Sequence, residues 1–195
     1  MQLGFYYDQQ RCVGCQTCVV ACKEWHDIPA GPVRWRRVET YEDGVFPDVA
    51  LVHLSLSCHH CERPSCMTAC PTGAIRKRGE DGIVVVDPDS CVPGCQMCLR
   101  ACPYEAPQFS PQDGLMQKCD LCLDRLLEAK APLCVVSCPL RALDAGPIAE
   151  MERRYGAVRT VPHFPDPSET GPCIVFRSRR ARGATAVSGA TTRPN

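Results

Sequence analysis

Cysteine is the residue type that could do the most chemistry in this sequence. The chain has 17 cysteines in 195 residues, and 16 of them fall into four groups of four. The groups are Cys12, Cys15, Cys18 and Cys22 (group one); Cys58, Cys61, Cys66 and Cys70 (group two); Cys91, Cys95, Cys98 and Cys102 (group three); and Cys119, Cys122, Cys134 and Cys138 (group four). Thiolates at such short, repeated spacings are typical of metal ligands. The seventeenth cysteine, Cys173, stands alone, and we expect it to be a buried small hydrophobic residue.

The repeat extends beyond the cysteines themselves. In groups two, three and four the last cysteine is followed by Pro-x-x-Ala, at 71–74, 103–106 and 139–142. In group one Lys23 replaces the proline. Each repeat therefore presents three sulfurs that converge on one point and a fourth, one turn later, that points elsewhere.

Three classes of cysteine chemistry compete for this pattern. A disulfide scaffold is typical of short secreted chains, and it does not need pairs of cysteines with the spacing Cys-x2-Cys. A zinc ribbon needs two separate Cys-x2-Cys pairs that close one tetrahedron, whereas here three cysteines form a tight triplet. A zinc-binding interaction module remains as a remote alternative.

Iron–sulfur ligation accounts best for the spacing. The run Cys-x2-Cys-x2-Cys-x3-Cys-Pro is that of bacterial ferredoxins, in which the fourth cysteine binds the other cluster of a pair. Group one has all four cysteine spacings, and group three has one extra residue, Pro93 or Gly94. Group two widens one gap, and group four replaces it with an 11-residue insertion. Sixteen thiolates provide ligands for four [4Fe–4S] clusters, with none left over.

Composition and charge exclude several other classes. The 22 basic and 22 acidic residues balance, which argues against a nucleic-acid partner because polyanion binding needs a basic excess. No apolar stretch is long enough to span a membrane. Leu, Ile, Val and Phe make up about a fifth of the chain, close to the lower limit for a packed core. We therefore expect metal coordination to supplement the hydrophobic core.

The N-terminal segment bears on localisation. Residues 1–11 lack a basic start followed by an apolar run, so we expect no signal peptide of the chain's own. The protein would then be cytoplasmic, or membrane-associated or periplasmic by export together with a partner that carries the signal.

Between the cysteine groups the sequence predicts short elements. A strand is predicted over 33–40 with a turn at 42–44, and a strand over 82–87 is predicted to pair with 74–77. Residues 121–129 have helical spacing. The predicted class is therefore α+β and rich in loops.

A few residues outside the groups also have candidate roles. His59 and His60 are expected near the metal ligands or at the surface, or where an electron donor docks. Four cations beside cysteines could raise the potential of nearby clusters; they are Lys23, Arg100, Arg125 and Arg141. Residues 170–195 contain no acidic residue, and we expect most of this tail to be a solvated segment, with docking to a partner or a membrane surface as the alternative. Removing 184–195 should leave the cluster content unchanged.

Over Tyr6 to Pro147 the sequence resembles the iron–sulfur, electron-transfer subunit of the dimethyl sulfoxide reductase family of complex iron–sulfur molybdoenzymes. The stretches that carry the resemblance are CVGCQTCVVACKEWHD (12–27), CHHCERPSCMTACPTGAI (58–75), CPYEAPQF (102–109), KCDLCLDR (118–125) and CVVSCPLRALDAGPI (134–148). PHFPDPS (162–168) is similar to the C-terminal region of the family.

The resemblance implies two nested ferredoxin-like units whose short strands and helices wrap around four [4Fe–4S] clusters. Residues 1–49 and 111–148 would form the outer unit, 50–110 the inner unit, and 149–195 a C-terminal extension whose last part is disordered. Paired groups would exchange their fourth ligand. The implied ligand sets are Cys12, Cys15, Cys18 and Cys138 (site 1); Cys119, Cys122, Cys134 and Cys22 (site 2); Cys58, Cys61, Cys66 and Cys102 (site 3); and Cys91, Cys95, Cys98 and Cys70 (site 4).

The expected function follows from saturated ligand sets, which leave no room for a substrate. We expect a non-catalytic subunit that relays electrons between a molybdopterin-containing catalytic subunit and a membrane-anchor subunit, a quinone-linked partner or a soluble redox partner. A free-standing polyferredoxin, which diffuses between many clients, is the alternative.

Overall fold

A computed structural model describes residues 1–179, which form an α+β structure of short elements joined by many loops. The strands are β1 (Leu3–Asp8), β2 (Arg37–Asp43), β3 (Ala50–Leu56), β4 (Ile75–Lys77), β5 (Val84–Val86), β6 (Gln108–Phe109), β7 (Met116–Gln117), β8 (Leu143–Pro147) and β9 (Ile174–Arg177). The helices are α1 (Thr17–Trp25), α2 (Ser65–Thr68), α3 (Met97–Ala101), α4 (Leu123–Leu127), α5 (Leu133–Val136) and α6 (Ile148–Tyr155). None of these helices is long and apolar enough to cross a membrane. The predicted α+β class is confirmed, whereas most of the predicted tail, from residue 180 onward, lies outside the described residues.

The largest sheet has three strands, with β1 in the centre. Strand β8 pairs with it in antiparallel direction and β9 in parallel direction. All six residues of β1 are buried. Strand β9 belongs to the segment expected as a C-terminal extension, and it completes this sheet. Gly4 permits the close approach of the two chain segments, because a Cβ atom there would overlap the carbonyl oxygen of Cys173.

Three hairpins lie between the cysteine groups, and they test the predicted strands. The pairing of β4 with β5 is confirmed, with Ile75 opposite Val86. The strand predicted over 33–40 instead begins at Arg37 and runs to Asp43, through part of the predicted turn. Its pairing with β3 starts at Arg37, opposite Leu56. Trp35 and Arg36 precede the strand, and their side chains are held by hydrogen bonds to Gln117 and to Ser55 and Ser57.

The length of each cysteine-bearing helix follows from the residue after the fourth cysteine of its group. Prolines at 71, 103 and 139 disfavour helix in the residue before them, and α2, α3 and α5 have only four or five residues. Lys23 imposes no such stop, so α1 continues for nine residues. The helix predicted over 121–129 is confirmed only at 123–127, because Leu121 and Cys122 have left-handed φ values of 65° and 51°.

Sulfur atoms form part of the core. The main apolar cluster combines Phe5, Leu54 and Phe176 with five of the grouped cysteines, which are Cys18, Cys58, Cys61, Cys119 and Cys134. Cys173 is fully buried in a second, smaller cluster, as predicted for the lone cysteine. The cysteines thus occupy space that aliphatic side chains fill in most domains of this size.

Candidate metal centres

The loops that carry the cysteine triplets depend on left-handed backbone conformations. In group one Gly14 and Gln16 have φ values of 71° and 63°, and in group three Gly94 and Gln96 have values of 72° and 54°. These residues alternate with the cysteines and turn successive side chains towards one point. A left-handed conformation costs a non-glycine residue of order 1–3 kcal/mol, so the two glutamines hold strain that the surrounding structure must offset.

Site 1 combines the triplet of group one with the last cysteine of group four. Cys12, Cys15, Cys18 and Cys138 line one cavity. Its remaining walls include Tyr7, Val38 and Leu143. The structure therefore brings together the four cysteines that the resemblance assigns to this site, although they are 126 residues apart at the extremes, Cys12 and Cys138.

Site 3 has the same construction in the middle of the chain. Cys58, Cys61, Cys66 and Cys102 line one cavity. Two further polar side chains, His59 and Lys118, contribute to its wall.

Site 4 contains the group with the extra residue. Cys91, Cys95, Cys98 and Cys70 line one cavity, and its other walls are mostly apolar. The backbone N–H of Gly94 donates a hydrogen bond of 3.0 Å to the carbonyl of Gly114, which holds the lengthened loop in place. The insertion therefore bulges towards a neighbouring loop and leaves Cys91 on the wall of the cavity.

The cysteines of site 2 are all buried, and their charges act on one another. Burial raises the pKa of the Cys22 thiol to about 12, and Cys134 and Cys122 add to this rise. Burial, together with Cys22 and Cys134, also raises the pKa of Cys119 well above its ordinary value. Helix α1, which carries Cys22, packs against α5, which carries Cys134. His26 Nε2 lies 3.5 Å from the sulfur of Cys122.

The three cavities fit a polynuclear group better than a single metal ion. Each is lined by four free thiols that come from two different cysteine groups. Four thiolates around one zinc ion, with Zn–S bonds of about 2.3 Å, would bring the sulfurs within about 4 Å of one another. Among residues 1–179, no three His, Cys, Asp or Glu side chains are arranged to hold one ion. The donor set and the space between the sulfurs therefore match iron–sulfur clusters.

The influence of one cysteine on the pKa of another indicates which of the four sites are neighbours. Burial raises the pKa of Cys18 (site 1) to about 11, and Cys134 of site 2 contributes to this rise. The pKa of Cys119 (site 2) is raised by burial and in part by Cys58 of site 3. Burial raises the pKa of Cys66 (site 3) to about 12, with a contribution from Cys98 of site 4. Site 1 therefore lies near site 2, site 2 near site 3, and site 3 near site 4.

Exposure differs between the ends and the middle of this series. At site 1 Cys15 is exposed and Cys12 and Cys138 are half-buried. At site 4 three of the four cysteines are half-buried, whereas all four are buried at site 2 and three of four at site 3. The two end sites reach the surface and the two middle sites are internal.

The Pro-x-x-Ala repeat supplies hydrogen bonds to the fourth sulfur of its group. The backbone N–H of Ala142 donates to the sulfur of Cys138 over 3.3 Å. Burial acts to raise the pKa of Cys70, but N–H groups that include that of Ala74 hold it below its ordinary value. At Cys102 burial raises the pKa, and the N–H of Ala106 opposes the rise. Such bonds stabilise negative charge on sulfur, and they are one of the factors that set cluster potentials.

His59 and His60 are buried beside site 3, so docking of an electron donor on either of them is excluded. His60 Nδ1 accepts a hydrogen bond of 3.1 Å from the Val84 N–H and lies 3.9 Å from the sulfur of Cys58. Burial lowers the pKa of His59 to about 3, so its ring is neutral at physiological pH. Neither of its ring nitrogens has a partner among residues 1–179. An unpaired N–H beside four thiols is a suitable donor to sulfur.

The cations expected near the ligands lie at or near the surface. Lys23 donates to the carbonyl of Gly31, and the guanidinium of Arg125 lies over the ring of Trp25. Among residues 1–179 the buried cations are instead Arg36 and Lys118, and neither was predicted from the sequence. Lys118 directly precedes a ligand cysteine and could have been selected by the same criterion as the other four. Nothing in the local pattern around Arg36 distinguishes it from Arg34 or Arg37.

Comparisons with known proteins agree with this chemistry. A 4Fe–4S dicluster domain model matches residues 49–148, and a second model of that description matches 11–75. The protein is 47% identical over 184 residues to an anaerobic dimethyl sulfoxide reductase chain of Escherichia coli (strain K12), covering 90% of this protein and 88% of the relative. It is 40% identical over 198 residues to the chain of the same name from Haemophilus influenzae, covering 96% and 95%. It is 43% identical over 161 residues to a sulfite dehydrogenase subunit of Allochromatium vinosum, covering 72% and 67%.

An α+β scaffold with cysteine-lined sites and two dicluster matches defines an iron–sulfur protein whose grouped cysteines correspond to four [4Fe–4S] clusters. The chain belongs to the iron–sulfur, electron-transfer subunits of the dimethyl sulfoxide reductase family.

Proposed function

We propose that this chain is the non-catalytic subunit of a reductase complex and that its four clusters form one electron relay. The relay would connect a molybdopterin-containing catalytic subunit with a membrane-anchor subunit, a quinone-linked partner or a soluble redox partner. When bound, each cluster supplies one-electron redox chemistry. The observation that carries this proposal is the linear order of the four cysteine sites, with both ends at the surface.

The proposed ligands are the sets of sites 1 to 4, in a nested pair of ferredoxin-like units. For sites 1, 3 and 4 the support is that each full set lines one cavity. For site 2 the support is the mutual influence of four buried thiols. Sites 1 and 2 would belong to the outer unit and sites 3 and 4 to the inner unit.

Exposed apolar side chains surround both ends of the proposed relay. Val13 and Leu140, on the wall of site 1, are 61% and 42% exposed. Val92, on the wall of site 4, and the nearby Met97 are both 47% exposed. Apolar contact surface next to an accessible cluster suits a docked protein, because a partner both excludes water and shortens the path for the electron. We therefore assign one partner to each end.

Two alternatives predict different behaviour. A free-standing polyferredoxin would be a stable, fully loaded monomer that exchanges electrons with unrelated enzymes. A zinc module would be colourless, whereas iron–sulfur protein absorbs broadly in the visible range. For localisation we propose that the chain works in the cytoplasm, or reaches the membrane or periplasm together with a partner that carries an export signal.

The test compares interruptions at the two ends of the relay in the complete complex. Cys15→Ser removes a ligand of site 1, and Cys91→Ser removes a ligand of site 4. Each should remove one cluster signal in electron paramagnetic resonance and stop quinol-supported turnover, while a reduced dye that feeds the catalytic subunit directly still supports it. Cys173→Ser is the matched control, because this cysteine lines none of the three cavities. Quinol-supported turnover that survives both changes would contradict the relay.

A further inference from the structure

The buried residue Arg36 has the electrostatic surroundings of a counter-charge to metal clusters. Its side chain enters the core from the loop before β2, and the residue is only 2% exposed. Nη1 donates to Ser55 Oγ over 2.9 Å and Nη2 to Ser57 Oγ over 3.1 Å. The guanidinium carbon lies 4.7 Å from the centre of the Phe5 ring. All three partners are uncharged.

Arg36 lies beside site 1, because its hydrogen-bond partner Ser55 lines that cavity together with Cys18. The charges that act on Arg36 are those of cysteine sulfurs. Burial disfavours its charge, yet Cys134, Cys18, Cys119 and Cys22 together hold the pKa of the guanidinium above its ordinary value. Cys18 belongs to site 1, and the other three belong to site 2. Among residues 1–179 the side chain makes its hydrogen bonds to Ser55 and Ser57 and forms no ion pair with Asp or Glu.

A permanent cation without a carboxylate partner is costly in a protein interior. The thiols around Arg36 do not offset that cost in their protonated form. Four thiolates bound to a [4Fe–4S] core carry an excess of negative charge, which grows by one when the cluster is reduced. The arginine therefore gains a counter-charge when the two sites are filled, and it gains more on reduction.

We propose that Arg36 influences electron transfer through its charge. Its fixed positive charge raises the reduction potentials of the clusters at both site 1 and site 2. This inference rests on the proposed ligand sets and goes beyond them, because it assigns a shared potential to one half of the relay. Arg36 also acts on His59 on the wall of site 3, but the cysteines that act most strongly on Arg36 all belong to sites 1 and 2. Lys118 acts on Cys66, and Arg37 acts on Cys102.

The experiment measures all four potentials in the anaerobically purified complex that contains the full chain. Redox titration followed by electron paramagnetic resonance is applied to wild type, Arg36→Met and Arg36→Lys. Arg154→Met is the matched control, because that guanidinium also lies over an aromatic ring, Tyr155 at 5.0 Å, but pairs with Asp144. Iron per chain is measured for each variant.

We expect Arg36→Met to lower the one-electron reduction equilibrium constants of sites 1 and 2 at least tenfold, which is a shift of about 59 mV each. Sites 3 and 4 should change less, Arg36→Lys should restore most of the shift, and Arg154→Met should change nothing. If Arg36→Met assembles only two clusters while Arg36→Lys assembles four, the counter-charge role is again supported.

Three results would overturn the inference. They are four unchanged potentials in fully loaded Arg36→Met, equal shifts at all four sites, and loss of iron from both Arg36 variants, which would indicate a structural role. Failure of the proposed function itself looks different, because the wild-type complex would then contain fewer than four clusters before any substitution is made.

Discussion

Replacing Cys173 separates burial from ligation, since it is the one cysteine outside the four groups. It packs with Tyr6, Ile148 and Met151 and is fully buried. Its sulfur lies 3.9 Å from the carbonyl oxygen of Gly171. In Cys173→Ser the shorter C–O bond leaves the hydroxyl too far from that carbonyl for a good hydrogen bond, so a polar group is buried without a partner.

The magnitude follows from that missing bond. An unsatisfied buried hydroxyl costs about 1–3 kcal/mol of unfolding free energy. In a domain of this size each kcal/mol lowers Tm by about 2–4 °C, so Cys173→Ser should unfold about 2–12 °C below wild type. Cys173→Ala removes one heavy atom and buries no polar group, so its loss should be smaller, about 1 kcal/mol.

The assay combines iron per chain with far-ultraviolet circular dichroism, recorded anaerobically at one fixed heating rate. Both variants should keep the iron content of wild type, and the serine variant should be the less stable of the two. Loss of about a quarter of the iron in either variant would refute the ligand assignment. A serine variant as stable as wild type would refute the reasoning from burial.

Three further predictions can be checked on the same preparations. Anaerobically purified protein should contain about 16 iron and 16 sulfide per chain, and a corrected value of about 12 or lower would contradict four filled sites. Tyr104→Phe removes the 2.8 Å hydrogen bond between the hydroxyls of Tyr104 and Thr170, while Thr170 keeps the sulfur of Cys61 as a partner, so thermal unfolding should show a loss of about 0.5–1.5 kcal/mol with unchanged iron. Gly4→Ala should lower stability by about 1–3 kcal/mol, because β9 must move away from β1, and a wild-type Tm would show that no such close approach exists.

The chemistry of this protein could be predicted from its sequence because cluster ligands must be close together in each triplet. The proline after the fourth cysteine, also visible in the sequence, accounts for the shortness of α2, α3 and α5. The β4–β5 hairpin was predictable because its two strands are separated by a short turn.

The rest depends on contacts between distant segments. The pairing of β1 with β9 joins Phe5 to Ile174, and nothing near either residue indicates the other. The inward turn of Arg36 was not predictable for the same reason, because its partners Ser55 and Ser57 lie on a different strand and the loop after it. The strand predicted over 33–40 does not begin until Arg37. At Arg36 the contacts with distant residues outweigh the local alternation of apolar and polar residues.

The exchange of fourth ligands between groups has a consequence for biosynthesis. On the proposed ligand sets, sites 3 and 4 have all their cysteines once the ribosome has added residue 102. Sites 1 and 2 begin with the first cysteines to be translated but stay incomplete until residue 138. The central sheet waits longer still, for β9 at 174–177. On these sets the ligands of the inner sites are complete before those of the outer sites, and the first thiols to be translated are among the last to have all their partners available.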